Sequence, residues 1–555
     1  MTISTAGPAL IGRTPRDQDS VALVCEGRDY TFGDVAALGE STADLVRAHG
    51  LGGRVVGVPA ERSPDFVARI MGLWSAGAVP AILGDWSPER TRAALAATGA
   101  AALLGPSLEL LDTATPYGSQ PRETTAVMYG SEPRETTAVP YGQGLLGEAS
   151  HILFTSGTTG SPKGIVVGRA AFEAASLAFF KELPVDESDR VAFLSRPGHD
   201  PSLRELLAPW LTGATLVIPG DRAAADPRLA AAWLAERSVT VLQATPVLLQ
   251  LMAGASDGPV ESLRLVCSVG ARLTAAALRS AAAFAPRAVV ANCYGASETP
   301  QVLCMHRLEP GAVADDPVPI GRPLGHAAVR VDTEGRLHVE AAACALGYTD
   351  GSPMLASGPD GSQWYDTGDI VSRLPDGSLC FVRRADRQVQ VNGARVELDE
   401  IERAAMLVPG VVDARASFTE DSTGVGSVRL TVVRTPEATA GVDELRAMLR
   451  ACLDPAVLPS SIEVDDPLAD PPARDGAQDL WDVLRDSARS ALGHDRFDPD
   501  EGFFEAGFTS MSLMRFVGEV SARLGVEISP VLVFTCPNLR AFADHLREDH
   551  DGQPR

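Results

Sequence analysis

Short apolar runs and stretches of helical periodicity alternate along roughly the first 110 residues. In FGDVAALGESTADLVRAHG (32–50) the apolar positions recur with helical spacing, whereas RVVGVPA (54–60) and AVPAILG (78–84) are apolar runs of strand length. Helix alternating with strand predicts parallel α/β layers, and the same alternation is expected again from 151 to about 370. Residues 387–464 carry shorter strands such as VRLTVVR and helices such as VDELRAMLRACL, which predicts a small separate α+β unit. The stretch 465–479 (DDPLADPPARDGAQD) combines proline with acidic charge and reads as a linker. From 480 to 548 the pattern is mostly helical.

One segment breaks the alternation. Residues 117–142 (YGSQPRETTAVMYGSEPRETTAVPYG) are a tandem repeat of twelve residues rich in Pro, Gly, Thr and charge. Solenoid repeats have periods of about 20–50 residues and need three or more units, so this pair predicts a duplicated, mobile surface loop without a catalytic role.

Length and composition then bound the function classes. At 555 residues the chain has room for about three or four domains. It contains no run of about 18 uncharged apolar residues that could span a bilayer, and MTISTAGPALIGRTPRDQDS lacks the basic start and apolar core of a secretory signal. The expectation is a cytoplasmic protein with no membrane partner. The eight cysteines (25, 267, 293, 304, 344, 380, 452, 536) form no CxxC pair and no metal-ligand spacing with histidine, so free thiols are expected. A formal charge of -24 argues against nucleic acid as a partner. Of the 48 basic residues only Lys163 and Lys181 are lysine, a bias that a GC-rich coding sequence explains.

The first stretch with candidate chemistry is HILFTSGTTGSPKG (151–164), an apolar strand entering a Gly/Ser/Thr loop that ends in lysine. Glycines let backbone N–H groups converge on an anion and hydroxyls add donors, which suits phosphate; an ordinary loop is the alternative reading. The spacing is not GxxxxGK followed by Ser or Thr, so this is no Walker A loop.

TSGTTGSPKG closely resembles the phosphate loop of the adenylate-forming superfamily, which includes acyl-CoA synthetases, luciferases and the adenylation domains of nonribosomal peptide synthetases. NCYGASET (292–299), YDTGD (365–369) and RRADRQVQVNGARVELDEIE (383–402) follow in the family's order, and the last looks most like the peptide-synthetase branch. The resemblance covers about residues 10–465. It implies that Thr155, Ser156, Thr158, Thr159 and Lys163 surround the phosphates of ATP. It further implies that Asn292 reads the adenine amino group with Tyr294 stacked near the base, and that Glu298 ligates Mg²⁺. Asp369 would hold the ribose hydroxyls with Arg384 nearby, and Asp386 would be the hinge about which the small domain rotates. The chemistry agrees, since Mg²⁺ prefers hard carboxylate oxygen and a carboxylate accepts two hydroxyl protons.

GHDPSLRELLAPWLTGATLVIP (198–219) fits the family's DxSxxE pattern at Asp200, Ser202 and Glu205. In the peptide-synthetase branch this aspartate pairs with an α-ammonium, so the resemblance implies an α-amino acid substrate. The other matching pocket positions are Pro201, Arg204, Gln243, Cys267, Val269, Cys293, Gln301 and Val302. The HDPxxR context is similar to α-aminoadipate-activating domains, so a polar or acidic side chain is preferred; Arg204 facing solvent or pairing with Glu205 is the alternative. Cys267 and Cys293 read as small apolar wall residues.

EGFFEAGFTSMSLMRFVGEVSARLG (501–525) resembles acyl and peptidyl carrier proteins, with Ser510 at the 4′-phosphopantetheine attachment position and Ser512 a weaker candidate. Leu513, Phe516, Val517, Val520 and Leu524 share one helical face, which puts Ser510 at a helix start, where a helix dipole favours a phosphodiester and where an N-cap is the ordinary use of serine. The expected fold is α/β: a large two-lobed adenylate-forming core (1–383), a small α+β subdomain (384–464), the linker 465–479 and an all-α four-helix carrier domain (480–550). The expected partners are a phosphopantetheinyl transferase, a downstream condensation or ketosynthase protein and a small MbtH-like helper.

One departure stands out. In the family a lysine near the end of the small subdomain binds the substrate carboxylate and α-phosphate during adenylation. Here no lysine follows Lys181, and Asp475 lies at or beside that position with Arg474 as its neighbour. Arg474 substituting, a partner supplying the charge, and an adenylation-deficient carrier or scaffold loaded in trans are the three readings. An acyl-CoA synthetase is disfavoured by Asp200 and the fused carrier.

Overall fold

The computed structural model describes residues 17–111, 147–155, 162–314, 316–358, 361–386, 388–391, 394–408, 411–420, 426–434, 441–453, 457–465, 480–492, 498–503, 506, 508, 510–524, 526, 528, 532–533, 536 and 538–551. The repeat at 117–142 lies outside these residues, as does the stretch 466–479, expected to be part of the linker, with Arg474 and Asp475.

The expected first helix is Phe32–Ala48. Thr31 caps it: its hydroxyl accepts the Asp34 N–H at 3.1 Å, and the Asp34 carboxylate accepts the Thr31 N–H at 2.9 Å. RVVGVPA and AVPAILG become the strands Val55–Pro59 and Val79–Leu83, paired in parallel. They belong to a seven-stranded sheet whose order runs Gly347–Tyr348, Lys163–Gly168, Ala149–Thr155, Val79–Leu83, Val55–Pro59, Ala102–Leu104, Leu108–Leu110. A nine-stranded sheet runs from Arg322–Pro323 through Thr299–Leu308, Val289–Ala296, Leu265–Ser268, Val241–Ala244, Arg190–Ala192, Thr215–Ile218 and Val21–Cys25 to Arg28–Thr31. Its middle strands are parallel and the helices between them bury apolar faces such as Leu249, Met252, Leu278 and Ala281.

The helix-strand alternation ends earlier than expected. After the Ala275–Phe284 helix the described residues form strands, with one short 3-10 turn at Ala341–Ala343, until the Leu398–Met406 helix. Tight turns explain the change. In VDTEGRL the Asp332 carboxylate accepts the N–H groups of Glu334 and Arg336, and Gly335 takes φ +83°; Gly377 takes φ +87° in PDG. Such turns join antiparallel neighbours, here Val329–Val331, Arg336–Glu340, Gln363–Arg373 and Leu379–Arg384.

The 387–464 region is α+β, but its strands are longer than expected: Val411–Glu420 pairs with Gly426–Arg434 over their whole lengths, and Ser461–Asp465 adds in parallel. The helices Leu398–Met406 and Val442–Cys452 close a core of its own around Ile401, Leu430, Leu445 and Leu449. Helices Leu480–Leu492, Ser510–Leu524 and Leu539–Asp551 form a further core around Leu484, Phe516 and Phe542. Among the described residues no helix is long and apolar enough to cross a membrane.

Candidate functional site

The site lies where the central parallel strands of the nine-stranded sheet end, the usual place for ligands in open α/β sheets. Gln243 on Val241–Ala244 sits beside Cys267 on Leu265–Ser268, and Val289–Ala296 follows with Asn292, Cys293 and Tyr294. Side chains alternate along a strand, so Asn292 and Tyr294 share one face and Cys293 takes the other. One strand therefore contributes to two adjacent subsites.

In the first subsite, the Asn292 side chain donates to the Pro319 carbonyl at 2.8 Å. The Tyr294 hydroxyl donates to Asp369, whose other oxygen accepts from Arg384 at 2.9 Å. Burial, reinforced by the Asp369 charge, raises the Tyr294 pKa well above its ordinary value, so the phenol keeps its proton and remains a donor. Arg384 is fixed at several points. It donates to the Thr367 carbonyl at 2.7 Å and to both oxygens of Asp386, at 2.9 and 2.5 Å. Asp386 thus pairs with the arginine beside Asp369.

Lys163 begins the strand after the Gly/Ser/Thr loop. Its ammonium stands 3.5 Å over the Tyr348 ring and 3.7 Å from Asp350. The Tyr348 hydroxyl donates to Glu298 at 2.9 Å, and Glu298 is 1% exposed. A single tyrosine therefore connects the lysine and the carboxylate. Sequence reasoning missed it, because GYTD carries no spacing that separates it from any other turn aromatic. Ser156, Thr158 and Thr159 lie outside the described residues, as does the side chain of Thr155.

Among the described residues no group of three or more His, Cys, Asp or Glu could hold a metal ion. A nucleotide-bound Mg²⁺ takes one or two carboxylates together with phosphate oxygens, so the buried carboxylate of Glu298, bonded to the tyrosine that lies under Lys163, fits that ion.

The second subsite is built on the Asp200–Thr212 helix. His199 stands at its N-cap, Pro201 occupies the first turn and Asp200 is buried. Both Asp200 oxygens accept the Gln301 backbone N–H at 3.1 Å, and Oδ1 also accepts from its side-chain amide at 3.3 Å. Gln301 adopts φ +70°, a conformation uncommon outside glycine, and it aims this N–H at the carboxylate. Arg204 is 2% exposed. It donates to the side-chain amide oxygen of Gln243 at 2.8 Å and to that of Gln301 at 3.1 Å, stands 3.5 Å from Asp200, and lies 4.8 Å from the Phe179 ring centre.

The alternative placements of Arg204 thus give way to a buried one. Glu205 is engaged elsewhere, accepting the Ser195 hydroxyl at 2.6 Å and its N–H at 3.2 Å. Burial pushes Glu205 up to about 8, against the pull of Ser195 and of Arg62. Burial also raises Asp200, opposed by Arg204. Cys267, Cys293, Val269 and Val302 are buried. A thiol contact with Cys293, followed by burial, raises Cys267 well above the usual thiol range, so it is protonated and not nucleophilic.

Ser510 is the first residue of the Ser510–Leu524 helix, and its side chain lies outside the described residues. Leu513, Phe516, Val517 and Val520 are buried on one face as the periodicity predicted, with Leu524 partly buried. Ser512 is buried, which makes it a poorer attachment point.

Residues 13–348 match the AMP-binding enzyme family, and residues 482–546 match the phosphopantetheine attachment site family. The chain is 30% identical over 456 residues to phenyloxazoline synthase MbtB of Mycobacterium sp. (strain MCS), covering 73% of this chain and 38% of that protein. It is 29% identical over 585 residues to novobiocin biosynthesis protein H of Streptomyces niveus, covering 96% and 94%. Other relatives are far longer: the chain spans 9% of tyrocidine synthase 3 of Brevibacillus parabrevis and 18% of the dimodular nonribosomal peptide synthase of Bacillus subtilis (strain 168). In fold it is similar to NpsA-ThdA, an artificially fused adenylation-PCP di-domain from Klebsiella oxytoca, with TM-score 0.65, 21% identity and coverage of 97% and 98%.

Proposed function

Since the chain belongs to the AMP-binding enzyme family and carries a C-terminal phosphopantetheine carrier domain, the didomain organisation of nonribosomal peptide synthetases, we propose that it activates an α-amino acid with MgATP and loads it onto its own carrier. The substrate carboxylate attacks the α-phosphorus of ATP and pyrophosphate leaves; the thiol of the arm on Ser510 then attacks the acyl carbon and AMP leaves. The observation that carries this reading is the Val289–Ala296 strand, whose consecutive residues Asn292, Cys293 and Tyr294 alternate between a nucleotide side and an acid-pocket side.

The residues have distinct tasks. Lys163 and the loop before it neutralise phosphate charge, Glu298 offers a hard oxygen to Mg²⁺, and Asp369, held by Arg384, accepts the ribose hydroxyls. Asp200 pairs with the α-ammonium. Adjacent to it, Arg204 points to an acidic side chain. The Asp200–Arg204 pair is electrically balanced, so a substrate that brings a cation and an anion gives each member a new partner and leaves no buried charge alone. A lone ammonium would strip Arg204 of Asp200.

The reading assigns 1–383 to the adenylation core, 384–464 to its C-terminal subdomain with Asp386 as hinge, 465–479 to a linker and 480–550 to a four-helix carrier. It places the protein in the cytoplasm. A phosphopantetheinyl transferase primes Ser510, and a condensation or ketosynthase protein takes the product, with a small helper protein at the adenylation unit.

The absence of lysine after Lys181 favours a second reading, a scaffold whose carrier is loaded by another enzyme. Losing one preorganised charge in such a transition state costs about 10²- to 10³-fold in rate, which leaves a slow enzyme rather than none, with Arg474 as the substitute. Amino-acid-dependent pyrophosphate exchange decides between them. Exchange that falls in Arg474→Ala supports the substitution, exchange unchanged in that variant sinks it, and no exchange with a helper protein present leaves the scaffold. Intact mass after priming with CoA and a transferase, then MgATP and amino acids, reads the two additions on Ser510.

A further inference from the structure

The C-terminal helical unit rests against the three-stranded unit at 411–465, and charged side chains build the seam. Arg446, in the Val442–Cys452 helix, donates to the Glu519 carboxylate at 3.3 Å and to the Ser490 hydroxyl. Both members of the ion pair are largely buried, with side-chain exposures of 14% and 9%. One turn further on, Arg450 donates to the Ser490 carbonyl at 3.0 Å. Glu519 is held within its own unit by Arg523 at 3.0 Å, and Arg523 also reaches Asp486 at 3.6 Å. An exposed ion pair fixes little, whereas a desolvated, multiply bonded one selects a single register.

Gly518 supplies an independent observation. Glycine is disfavoured in a helix interior, yet it stands in the middle of Ser510–Leu524. A Cβ there would come within 3.2 Å of the Ser460 Cβ, tighter than ordinary packing. Ser460 is itself anchored, its N–H and its hydroxyl both donating to the Val428 carbonyl at 2.8 and 2.7 Å. Small residues on both sides let the helix backbone approach the sheet unit closely.

We propose that this seam is a docking surface, in which Arg446 with Glu519 and Ser490, and Gly518 against Ser460, hold the helical unit on the three-stranded unit so that the two move as one body. Because both belong to one chain, the effective concentration is on the order of mM, and a small surface suffices. The dock grips the second half of the helix, about 12 Å along its axis from Ser510 at 1.5 Å per residue. The consequence rests on the proposed function: if Ser510 bears the arm and the 384–464 subdomain turns about Asp386, the arm travels with that subdomain.

The full chain with Ser460→Cys and Gly518→Cys tests the dock. Disulfides span Cβ separations of roughly 3.5–4.5 Å, within a few tenths of an ångström of the present geometry. With oxidised glutathione as the two-electron acceptor, the two thiols lose two protons, an S–S bond forms and glutathione is reduced. Peptide mapping should find the 460–518 link forming at least about tenfold faster than any other cysteine pair, and about tenfold more slowly when Arg446→Glu is added. A link no faster than the background pairs overturns the dock. Should the double variant fail to fold, hydrogen exchange on Arg446→Glu alone decides: protection should fall at 458–462 and 486–492, and unchanged protection there overturns it.

Loading measured before and after cross-linking separates this inference from the adenylation reading. No pyrophosphate exchange in the unmodified protein would fail that reading while the cross-link still decided the dock. With exchange present, loading retained within about threefold in the linked chain is expected, and exchange retained with loading lost overturns the one-body movement.

Discussion

Arg204 Nη1 stands 3.5 Å from Asp200 Oδ2, one turn along the same helix, and both side chains are buried. Arg204→Met removes the cation at similar volume and leaves the carboxylate alone. Breaking one side of a buried pair costs about 3–5 kcal/mol, and a burial-raised Asp200 recovers part of that by taking a proton. The first thermal transition should fall by several degrees at pH 7 and by less at pH 5. Pyrophosphate exchange over an amino-acid panel should lose its preference for acidic side chains by about 10- to 100-fold, since a charged hydrogen bond is worth about 1.5–3 kcal/mol. An equal loss for all amino acids would mean that Arg204 does not meet the side chain.

Glu205 gives the pH dependence. Its folded pKa of about 8 lies above the ordinary 4.5 because burial disfavours the charge. The folded state then binds the proton more tightly than the unfolded state, so this group's penalty is absent below about 4.5, grows as pH rises toward 8 and levels off beyond. Glu205→Gln removes the titration while keeping the shape. The transition temperature of the parent should fall relative to the variant between pH 6 and pH 8.5; parallel curves would place the carboxylate titration elsewhere.

Tyr348 touches both the Lys163 cation and the Glu298 carboxylate. Tyr348→Phe keeps the ring under the lysine and deletes the hydroxyl on Glu298. Hydrogen bonds to charged groups contribute about 1.5–3 kcal/mol, so the Mg²⁺ concentration for half-maximal exchange should rise about tenfold or more, with the amino acid KM unchanged. Mn²⁺ binding in the presence of ATP, read by paramagnetic resonance, should weaken in parallel. Equal changes in both KM values would reduce the tyrosine to general packing.

The parallel lobes were legible because helix and strand periods alternate cleanly there, and Phe32–Ala48 even carries its capping box in the letters TFGD. The antiparallel region after Phe284 was legible only in its turns, DTEG and PDG, which lack a period and escaped a reading based on alternation. The pocket positions came from motif order, but their contacts did not: HDPSLRE allows Arg204 to pair with Glu205, and burial together with Gln301 at φ +70° selects Asp200 instead. Likewise, nothing in the spacing of Lys163, Glu298 and Tyr348 along the chain reveals that a two-residue strand brings them together.

Gly368, in YDTGD, offers the sharpest separation of backbone from site. It adopts φ +72°, and a side chain there would overlap the Arg384 guanidinium. That guanidinium is already bonded to Asp369, Asp386 and the Thr367 carbonyl, so it cannot yield without releasing Asp369. Gly377 is the control, with φ +87° and open space around it. Gly368→Ala and Gly377→Ala should both lose stability for the left-handed backbone, on the order of 1–2 kcal/mol. Only Gly368→Ala should also weaken ATP binding, by about tenfold or more as the Asp369–Arg384 pair is displaced, which calorimetric titration with MgATP would read. Equal nucleotide affinities in the two variants would remove Arg384 from the task of holding Asp369.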